Sequence, residues 1–175
     1  MTYRSNYATL VIVKGGEIIL TVIDVIRAIS KHMIENYQNY PLDDRDISDT
    51  VDRPCSFIDV DDMESEIYAV GYVRDTASID IYVFVEDLNI GFLELLDCKN
   101  DLLRWLNNPI KLLDENDDIG GYVTPINVTA TISKADKALK VSFDIELIQA
   151  LEDKSETENP YVMTDLNLTF KEDNY

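Results

Sequence analysis

The sequence is poor in the residues that most enzymes use for catalysis, with one histidine and two cysteines among 175 residues. Nucleophilic catalysis needs a serine or cysteine with a base held beside it. His32 falls between Lys31 and Met33, off the main apolar stripe of a segment with helical periodicity, which favours a surface or packing role. Cys55 and Cys98 form neither a disulfide framework nor a zinc-binding spacing, and we expect reduced thiols that pack. The residue types therefore predict no catalytic, metal-binding or cofactor-binding residues, and no enzyme activity.

Glycine is also scarce, with six in the chain, and none stands where a phosphate or calcium loop needs it. The Lys14-Gly15-Gly16 segment precedes a predicted helix, but the lysine and hydroxyl residue that follow the glycines of a P-loop are missing. The aspartate-rich connection 39–54 lacks the central glycine and terminal glutamate of a calcium loop. We therefore predict no nucleotide site at the first segment and a solvated loop at the second.

Basic residues are few: 15 lysines and arginines stand against 34 acidic residues, which gives a formal net charge of -19. Tight, nonspecific nucleic-acid binding needs basic side chains that replace condensed counterions. An anionic membrane surface is disfavoured for the same reason. The charge is consistent with simple solubility, with a surface that lies beside DNA without adhering to it, or with a basic partner.

Long apolar runs are missing as well. The stretch from Ile18 to Ile29 contains Asp24 and Arg27, so it is too short and too charged to span a bilayer. We therefore expect no membrane partner and no targeting segment.

Two segments have the periodicity of amphipathic helices, Glu17–Tyr37 and Phe92–Asn107. The first has a stripe that we expect to face the core, made of Ile19, Val22, Ile23, Ile26, Ile29, Met33 and Tyr37. The second has a corresponding stripe made of Phe92, Leu95, Leu96, Leu102, Leu103 and Leu106. The preceding Ala8–Val13 segment fits either a short strand or an extension of the first helix.

Strands are predicted between and after these helices. Cys55–Asp61, Glu66–Arg74 and Ser78–Glu86 come first, the last two as a hairpin across Arg74–Ala77. Tyr122–Ser133 and Leu139–Leu151 form a second predicted hairpin across Lys134–Ala138, and Tyr161–Phe170 is a predicted terminal strand. This order predicts an α+β fold, in which a single antiparallel or mixed β-sheet carries two main helices packed on one face. Length favours one domain over 1–175, with an N-terminal arm at 1–16 and a frayed tail at 171–175.

The order and character of these elements resemble the tail terminator, or tail completion, proteins of long-tailed bacteriophages. The resemblance covers residues 17–170 and involves the helix, an acidic connection and the segments that follow. Those segments are a Pro-Cys-Ser-Phe strand entry (Arg53–Phe57), a tyrosine-rich hairpin (Ile67–Val85), Leu-Leu-Arg-Trp-Leu (Leu102–Leu106), a second hairpin (Val123–Ile148) and a final Leu-Asn-Leu-Thr-Phe.

The resemblance implies a structural virion protein without catalytic residues. Such proteins form a ring, usually a hexamer, at the head-proximal end of the tail tube, where they end tube polymerisation and provide the docking surface for the head–tail connector protein. The implied partners are further copies of the chain, the tail tube protein, the connector, and DNA that passes through the lumen without specific binding. The implied location is the neck region of the virion tail, reached from the host cytoplasm during assembly. Sheet edges, hairpin loops and the strand tyrosines Tyr68, Tyr72 and Tyr82 are the expected contact sites.

Three alternative hypotheses remain from the sequence. The chain could be another head–tail adaptor or tail-tube-related protein, since these share related α+β folds. It could be an acidic DNA-mimic inhibitor, which needs carboxylates spaced like phosphates on an exposed face. A small hydrolase that uses a carboxylate pair would instead have a concave pocket with convergent polar groups.

Overall fold

A computed structural model describes residues 20–43, 52–113 and 119–150 of the chain. The predicted N-terminal arm, the Ala8–Val13 segment, the strand at Tyr161–Phe170 and the C-terminal tail lie outside these residues. Within them, the elements in chain order are α1 Val22–Asn36, β1 Cys55–Ala69, β2 Tyr72–Phe84, α2 Leu88–Leu106, β3 Ile110–Leu113, β4 Ile119–Val123, β5 Ile126–Ser133 and β6 Ala138–Ala150.

The predicted α+β class is confirmed. A main sheet with strand order β1-β2-β6-β5 is antiparallel throughout, and a second sheet pairs β3 with β4. The hairpin of β5 and β6, which the alternation of Val141, Phe143 and Ile145 predicts, forms across residues 134–137. The small sheet is an addition that the sequence analysis does not predict.

Helix α1 begins at Val22, because Thr21 adopts an extended backbone with φ -113° and ψ 167°. The Thr21 backbone N–H donates to the Asp24 carboxylate at 2.9 Å, which satisfies a donor that the helix leaves open. The predicted helix, which starts at Glu17, is therefore wrong at Leu20 and Thr21, because these two residues lie outside α1. At the other end, the Tyr37 N–H donates to the Met33 carbonyl at 2.8 Å.

The first hairpin turns at a different place from the predicted one. Strands β1 and β2 are joined at Val70-Gly71, where Gly71 has a φ of +80° that suits glycine. The predicted turn Arg74–Ala77 lies inside β2 instead. The polar residues of this segment do not mark a turn. The Asp75 carboxylate is buried within the sheet and accepts hydrogen bonds from Ser65 Oγ at 2.6 Å and Gln149 Nε2 at 2.5 Å. The predicted strand Cys55–Asp61 is the first part of a longer β1, whereas the predicted strand Glu66–Arg74 is wrong, because it contains the end of β1, the turn and the start of β2.

The predicted strand Tyr122–Ser133 is interrupted at Thr124-Pro125. Residues before the break belong to β4, which pairs with β3, and residues after it belong to β5, which pairs with β6. Proline has no backbone N–H and cannot donate to a ladder, so the chain changes sheets at this point.

Both helices pack on the same face of the main sheet, as predicted. Inward residues of β2 and β6 alternate with outward ones and join the helices in one apolar core. Its fully buried members include Val25, Ile29, Met33, Leu95, Leu102, Leu106, Ile79, Ile81, Leu139, Val141, Phe143 and Ile145. The opposite face of the sheet carries no helix among the described residues. None of the described helices is long and apolar enough to cross a membrane.

Candidate interaction surfaces

On the helix-free side of the main sheet, a small buried apolar cluster of Cys55, Phe57, Phe84 and Ala138 lies at the start of β1. The rest of this side, from Asp59 onward, is a polar surface, which we call the acidic face. Pairing sets Asp59 opposite Asp80 on neighbouring strands, and Ser78 lies between Asp62 and Asp144. Arg74 and Lys140 are the only basic residues within β1, β2, β5 and β6. The carboxylates of the acidic face come from three strands and are Asp59, Asp62, Glu64, Glu66, Asp80, Asp144 and Glu146.

The two cations of the acidic face each neutralise particular carboxylates. Lys140 Nζ lies 2.6 Å from Asp80 Oδ2, and the Asp80 side chain is 6% exposed. The hydrogen bond from Lys140 to Asp80 raises the pKa of Lys140. Arg74 pairs with Glu66 and, at 3.6 Å, with Glu146. The remaining carboxylates stay on the surface as net negative charge.

Asp144 is held by neutral donors at the centre of the acidic face. Ser78 Oγ donates to its Oδ1 and Asn127 Nδ2 to its Oδ2, each at 2.7 Å. A recess of about 400 Å³ lies beside it, lined in part by Asp62, Glu64 and Glu146. Within residues 20–43, 52–113 and 119–150, no group of three or more His, Cys, Asp or Glu side chains is arranged to hold a metal ion.

The far part of the first hairpin, residues 61–76, exposes large apolar side chains, and we call it the distal hairpin. Val70 at the tip is 99% exposed and Ile67 is 79% exposed, and Met63 is also largely in solvent. Tyr68 and Tyr72 are exposed nearby, and the Arg74 guanidinium lies 5.4 Å from the centre of the Tyr68 ring. Apolar side chains clustered at one end of an otherwise charged chain are typical of an interaction site.

Helix α1 carries a second apolar row on its outward side, which we call the α1 outer stripe. It consists of Ile23, Ile26, Ser30 and Ile34, spaced by three or four residues, and Ile26 is half-buried at the border with the core. Ile23 is 58% and Ile34 is 60% exposed, so the prediction that Ile23 faces the core is wrong. The core positions are taken by Val22, Val25, Ile29 and Met33, each one residue before a member of the outer row. A shallow groove of about 410 Å³ follows the stripe, with Arg27, Lys31 and Glu35 at its border.

The single histidine packs against the single tryptophan. The rings of His32 and Trp105 are 3.8 Å apart and tilted by 3°, so α1 and α2 meet through a parallel stack. Burial lowers the pKa of His32, and the Glu35 carboxylate opposes this shift. The groove next to the stack measures about 400 Å³ and includes Arg27, Lys31 and Lys111 in its lining.

Both thiols are buried, and neither forms a disulfide. Cys55 lies at the start of β1, and Cys98 lies on the inner side of α2. Burial raises the pKa of Cys98 to about 11, and the carboxylates of Asp101, Glu94 and Asp97 act in the same direction. Because the thiolate is the reactive form, this thiol is poorly suited to nucleophilic chemistry at neutral pH.

Sequence reasoning did not find two of these surfaces. It assigns Ile23 to the core, although the four buried positions of α1 already complete one stripe; Ile26, which it also assigns to the core, is half-buried and does pack against it. Sequence reasoning also divides β1 between two predicted strands, so the row of carboxylates along one side of this strand is not recognised.

Comparison with known proteins assigns the chain to a family. No curated protein matches it. A family model described as phage tail terminator protein matches residues 24–158, a range that runs from the first turn of α1 to beyond β6 and includes both helices and both sheets. The family is a structural one, whose members are components of the virion. This chain therefore belongs to the phage tail terminator family, as the resemblance of its elements predicts.

Proposed function

We propose that the protein forms a ring at the head-proximal end of the phage tail tube, where it ends tube polymerisation and presents the docking surface for the head–tail connector protein. Membership of the terminator family supports a role in the tail. The observation that carries the finer proposal is the acidic face, a sheet surface left without helices and dense in carboxylates.

In the proposed ring, the acidic face lines the channel through which DNA passes. Seven carboxylates there face two cations, and five carboxylates remain after each cation is counted against one of them. A wall of this charge repels the phosphate backbone, and its two cations, Arg74 and Lys140, are already paired with carboxylates of the same face. DNA would therefore slide past without specific binding, and the helices would lie on the outside of the ring.

The edges of the main sheet supply surfaces for ring contacts. Among the described residues, strand β1 forms one edge and β5 the other, so each leaves backbone groups on one side without a neighbouring strand of the main sheet. The start of β1 is covered, because the Ser56 N–H donates to the Pro41 carbonyl at 2.9 Å. A contact that joins different surfaces of successive copies is heterologous and closes into a ring when the rotation permits, and we propose six copies.

The genetic experiment is to assemble phage without the protein and to measure the tails by electron microscopy. We expect tube polymers that exceed the normal length, because nothing ends their growth. Complementation with the wild-type protein should restore a single length. Tails of normal length that fail to join heads would instead indicate a head–tail adaptor.

The biochemical experiment is native mass spectrometry of the purified protein, alone and with the tail tube protein. We expect a closed oligomer of one defined size, and binding of that oligomer to the end of the tube. A protein that stays monomeric under both conditions would contradict the ring.

A second candidate function is the acidic DNA mimic, and the display of carboxylates on an open sheet face favours it. A mimic would bind a basic host protein as a monomer, with an affinity that falls steeply as salt rises. Affinity capture with the wild-type protein, compared with a variant neutralised at Asp59 and Asp144, distinguishes the two functions. Loss of a captured basic protein in the variant, without any effect on tail length, supports the mimic.

A further inference from the structure

On one side, the last part of β6 has no neighbouring strand among the described residues. Residues 145–150 pair with β2, from Ala77 to Tyr72. On the other side of β6, the pairing with β5 reaches only as far as Asp144, which lies opposite Ile126. Strand β5 does not extend further along β6, because the chain before Pro125 belongs to the other sheet. In the part of the chain that the structure describes, the backbone groups that residues 145–150 direct away from β2 therefore have no strand partner.

A buried oxygen atom without a hydrogen-bond partner lies at the same edge. Gln149 Nε2 donates to Asp75 Oδ2 at 2.5 Å, and Asp75 pairs with the buried Leu147. Because Leu147 faces the core and side chains alternate along a strand, Gln149 also lies on the helix side. Gln149 Oε1 is buried, and no group of the described residues donates to it. Leaving a buried acceptor unsatisfied is unfavourable, and a donor on an added strand would satisfy it.

The chain itself continues from this edge. Strand β6 ends at Ala150, and residues 151–175 follow. They contain the predicted strand Tyr161–Phe170, which lies outside the described residues. The connection 151–160 is long enough for the chain to reverse its direction and return beside β6. Because a tethered segment has a high effective concentration near its point of attachment, the same chain is a better source of this strand than a second copy.

The predicted strand alternates in the way that the open edge of β6 requires. In its second part a threonine and two leucines alternate with two polar residues, in the order Thr164, Asp165, Leu166, Asn167 and Leu168. On β6, the buried Leu147 lies on the helix side, and Glu146 belongs to the acidic face. Since side chains alternate between the two faces of a sheet, the leucines can extend the core while the polar residues extend the acidic face.

We propose that residues 161–170 form an antiparallel strand on the open edge of β6 in the same chain, with Leu166 opposite Leu147. In this register Thr164 lies opposite Gln149, where the threonine hydroxyl donates to Oε1. A shift of the register by two residues would put an apolar side chain beside Oε1, and a shift by one would move the leucines to the acidic face. The proposal goes beyond the proposed function and does not depend on a ring, because the contact lies within one chain.

A disulfide test measures the register and identifies the source of the strand. Asn167 lies opposite Glu146 in the proposed register, and such residues have Cα atoms about 4.5–5.5 Å apart, which a disulfide can span. Under mild oxidation of dilute protein, Glu146→Cys with Asn167→Cys should form a disulfide within one chain. The matched control Glu146→Cys with Thr164→Cys should not, because Thr164 lies on the other side of the sheet. Mass spectrometry of the digested protein identifies the linked peptides, and a non-reducing gel separates linkage within a chain from linkage between chains.

Variants of Thr164 test the hydrogen bond to Gln149. Thr164→Val keeps the size of the side chain but removes the donor, so it should lower the urea midpoint of unfolding. Thr164→Ser keeps the hydroxyl and should lower the midpoint less than the valine variant does. Thr131→Val, at an exposed position of β5, is the matched control and should change the midpoint little.

Three outcomes would contradict the proposal. Disulfides between chains would show that a second copy supplies the strand. Equal disulfide formation in the two cysteine pairs, or in neither, would show that the segment has no fixed place beside β6. An unchanged midpoint for Thr164→Val would rule out the register that sets its hydroxyl beside Gln149. None of these results depends on tail length or on assembly of the wild-type protein, so the proposed function stands or fails separately.

Discussion

At the scale of single residues, the stack of His32 on Trp105 joins two helices through the only histidine and the only tryptophan of the chain. Its partly buried imidazole favours the neutral form, which lowers its pKa below 6.5. Because the folded state binds a proton at His32 less readily than the unfolded state does, neutral His32 favours folding. The corresponding part of the free energy of unfolding is fully present above pH 6.5 and is lost as the pH falls toward the pKa of the folded state.

Tryptophan fluorescence should report this titration directly, because a protonated imidazole quenches an indole stacked on it. We expect emission to fall through a midpoint below pH 6.5 in the wild-type protein and to stay level in His32→Gln. Glu35→Gln should move the midpoint lower still, because it removes the carboxylate that raises the pKa. A midpoint at or above 6.5 would show that burial does not control this ring.

The ion pair of Lys140 and Asp80 gives a second prediction at this scale. Lys140→Met should lower the free energy of unfolding by about 2 kcal/mol, because it leaves the buried Asp80 carboxylate without its cation, with the effect reduced by the partial exposure of Lys140. The pair Asp80→Asn with Lys140→Met should recover much of the loss. Urea denaturation measures both, and Lys111→Met on an exposed position of β3 is the control.

At the scale of elements, the N-terminal part of α2 is positioned by its close approach to the end of β2. A Cβ atom at Gly91 would lie 2.7 Å from Val85 Cβ and 2.8 Å from its Cγ1. Non-bonded carbon atoms do not approach so closely. The glycine therefore allows the helix to lie at this short distance from Val85, just after β2.

Gly91→Ala should therefore destabilise the protein although alanine is the better helix former. The gain in helix propensity is about 1 kcal/mol, and overpacking of this kind costs about 1–3 kcal/mol. We expect a net loss measured by thermal or urea unfolding. Asn100→Ala, exposed on the same helix, should give a small gain; a gain of similar size for Gly91→Ala would show that Val85 yields without cost.

The turn at Gly71 can be tested without steric interference. A Cβ atom there meets nothing within 4 Å, so Gly71→Ala changes only the cost of a φ of +80°. We expect a loss of about 1 kcal/mol in the free energy of unfolding. Gly71→Asn should lose less, since asparagine tolerates this conformation better. Equal stability of all three proteins would place the turn elsewhere.

These elements show where prediction from sequence succeeds and fails. The apolar alternation of Ile79, Ile81 and Val83 identifies β2, because buried strand positions repeat every two residues. The turn was misplaced because Asp75 and Thr76 are polar, and a sequence does not reveal that Ser65 and Gln149 satisfy a buried carboxylate across the sheet. The same limit applies to the acidic face and the α1 outer stripe. The first can be identified only when the pairing of the strands is known, and the second only when the buried positions of α1 are known.

At the scale of the whole molecule, the negative charge of the main sheet is concentrated on one side. Carboxylates of the main sheet collect on the helix-free side, whereas in α1 Asp24 and Glu35 balance Arg27 and Lys31. The proposed position of the acidic face along a DNA channel gives this concentration of charge a testable role.

Asp59→Lys combined with Asp144→Asn should slow DNA release from purified, assembled particles, because the channel wall then attracts phosphates. A matched control, Asp97→Lys with Asp101→Asn on exposed positions of α2, changes the net charge by the same amount. The rate of DNA release after triggering is the measurement, with tail length confirming assembly. Equal rates for both variants would contradict a channel position for the acidic face.

The composition of the edge strand β1 also determines how copies of the chain can approach one another. Five carboxylates and no basic residue lie between Cys55 and Ala69. If two β1 strands met side by side, like charges would be set across from each other, and repulsion would oppose that twofold pairing. In the proposed ring, this repulsion favours a contact in which β1 meets a different surface of the next copy over one in which two β1 strands meet.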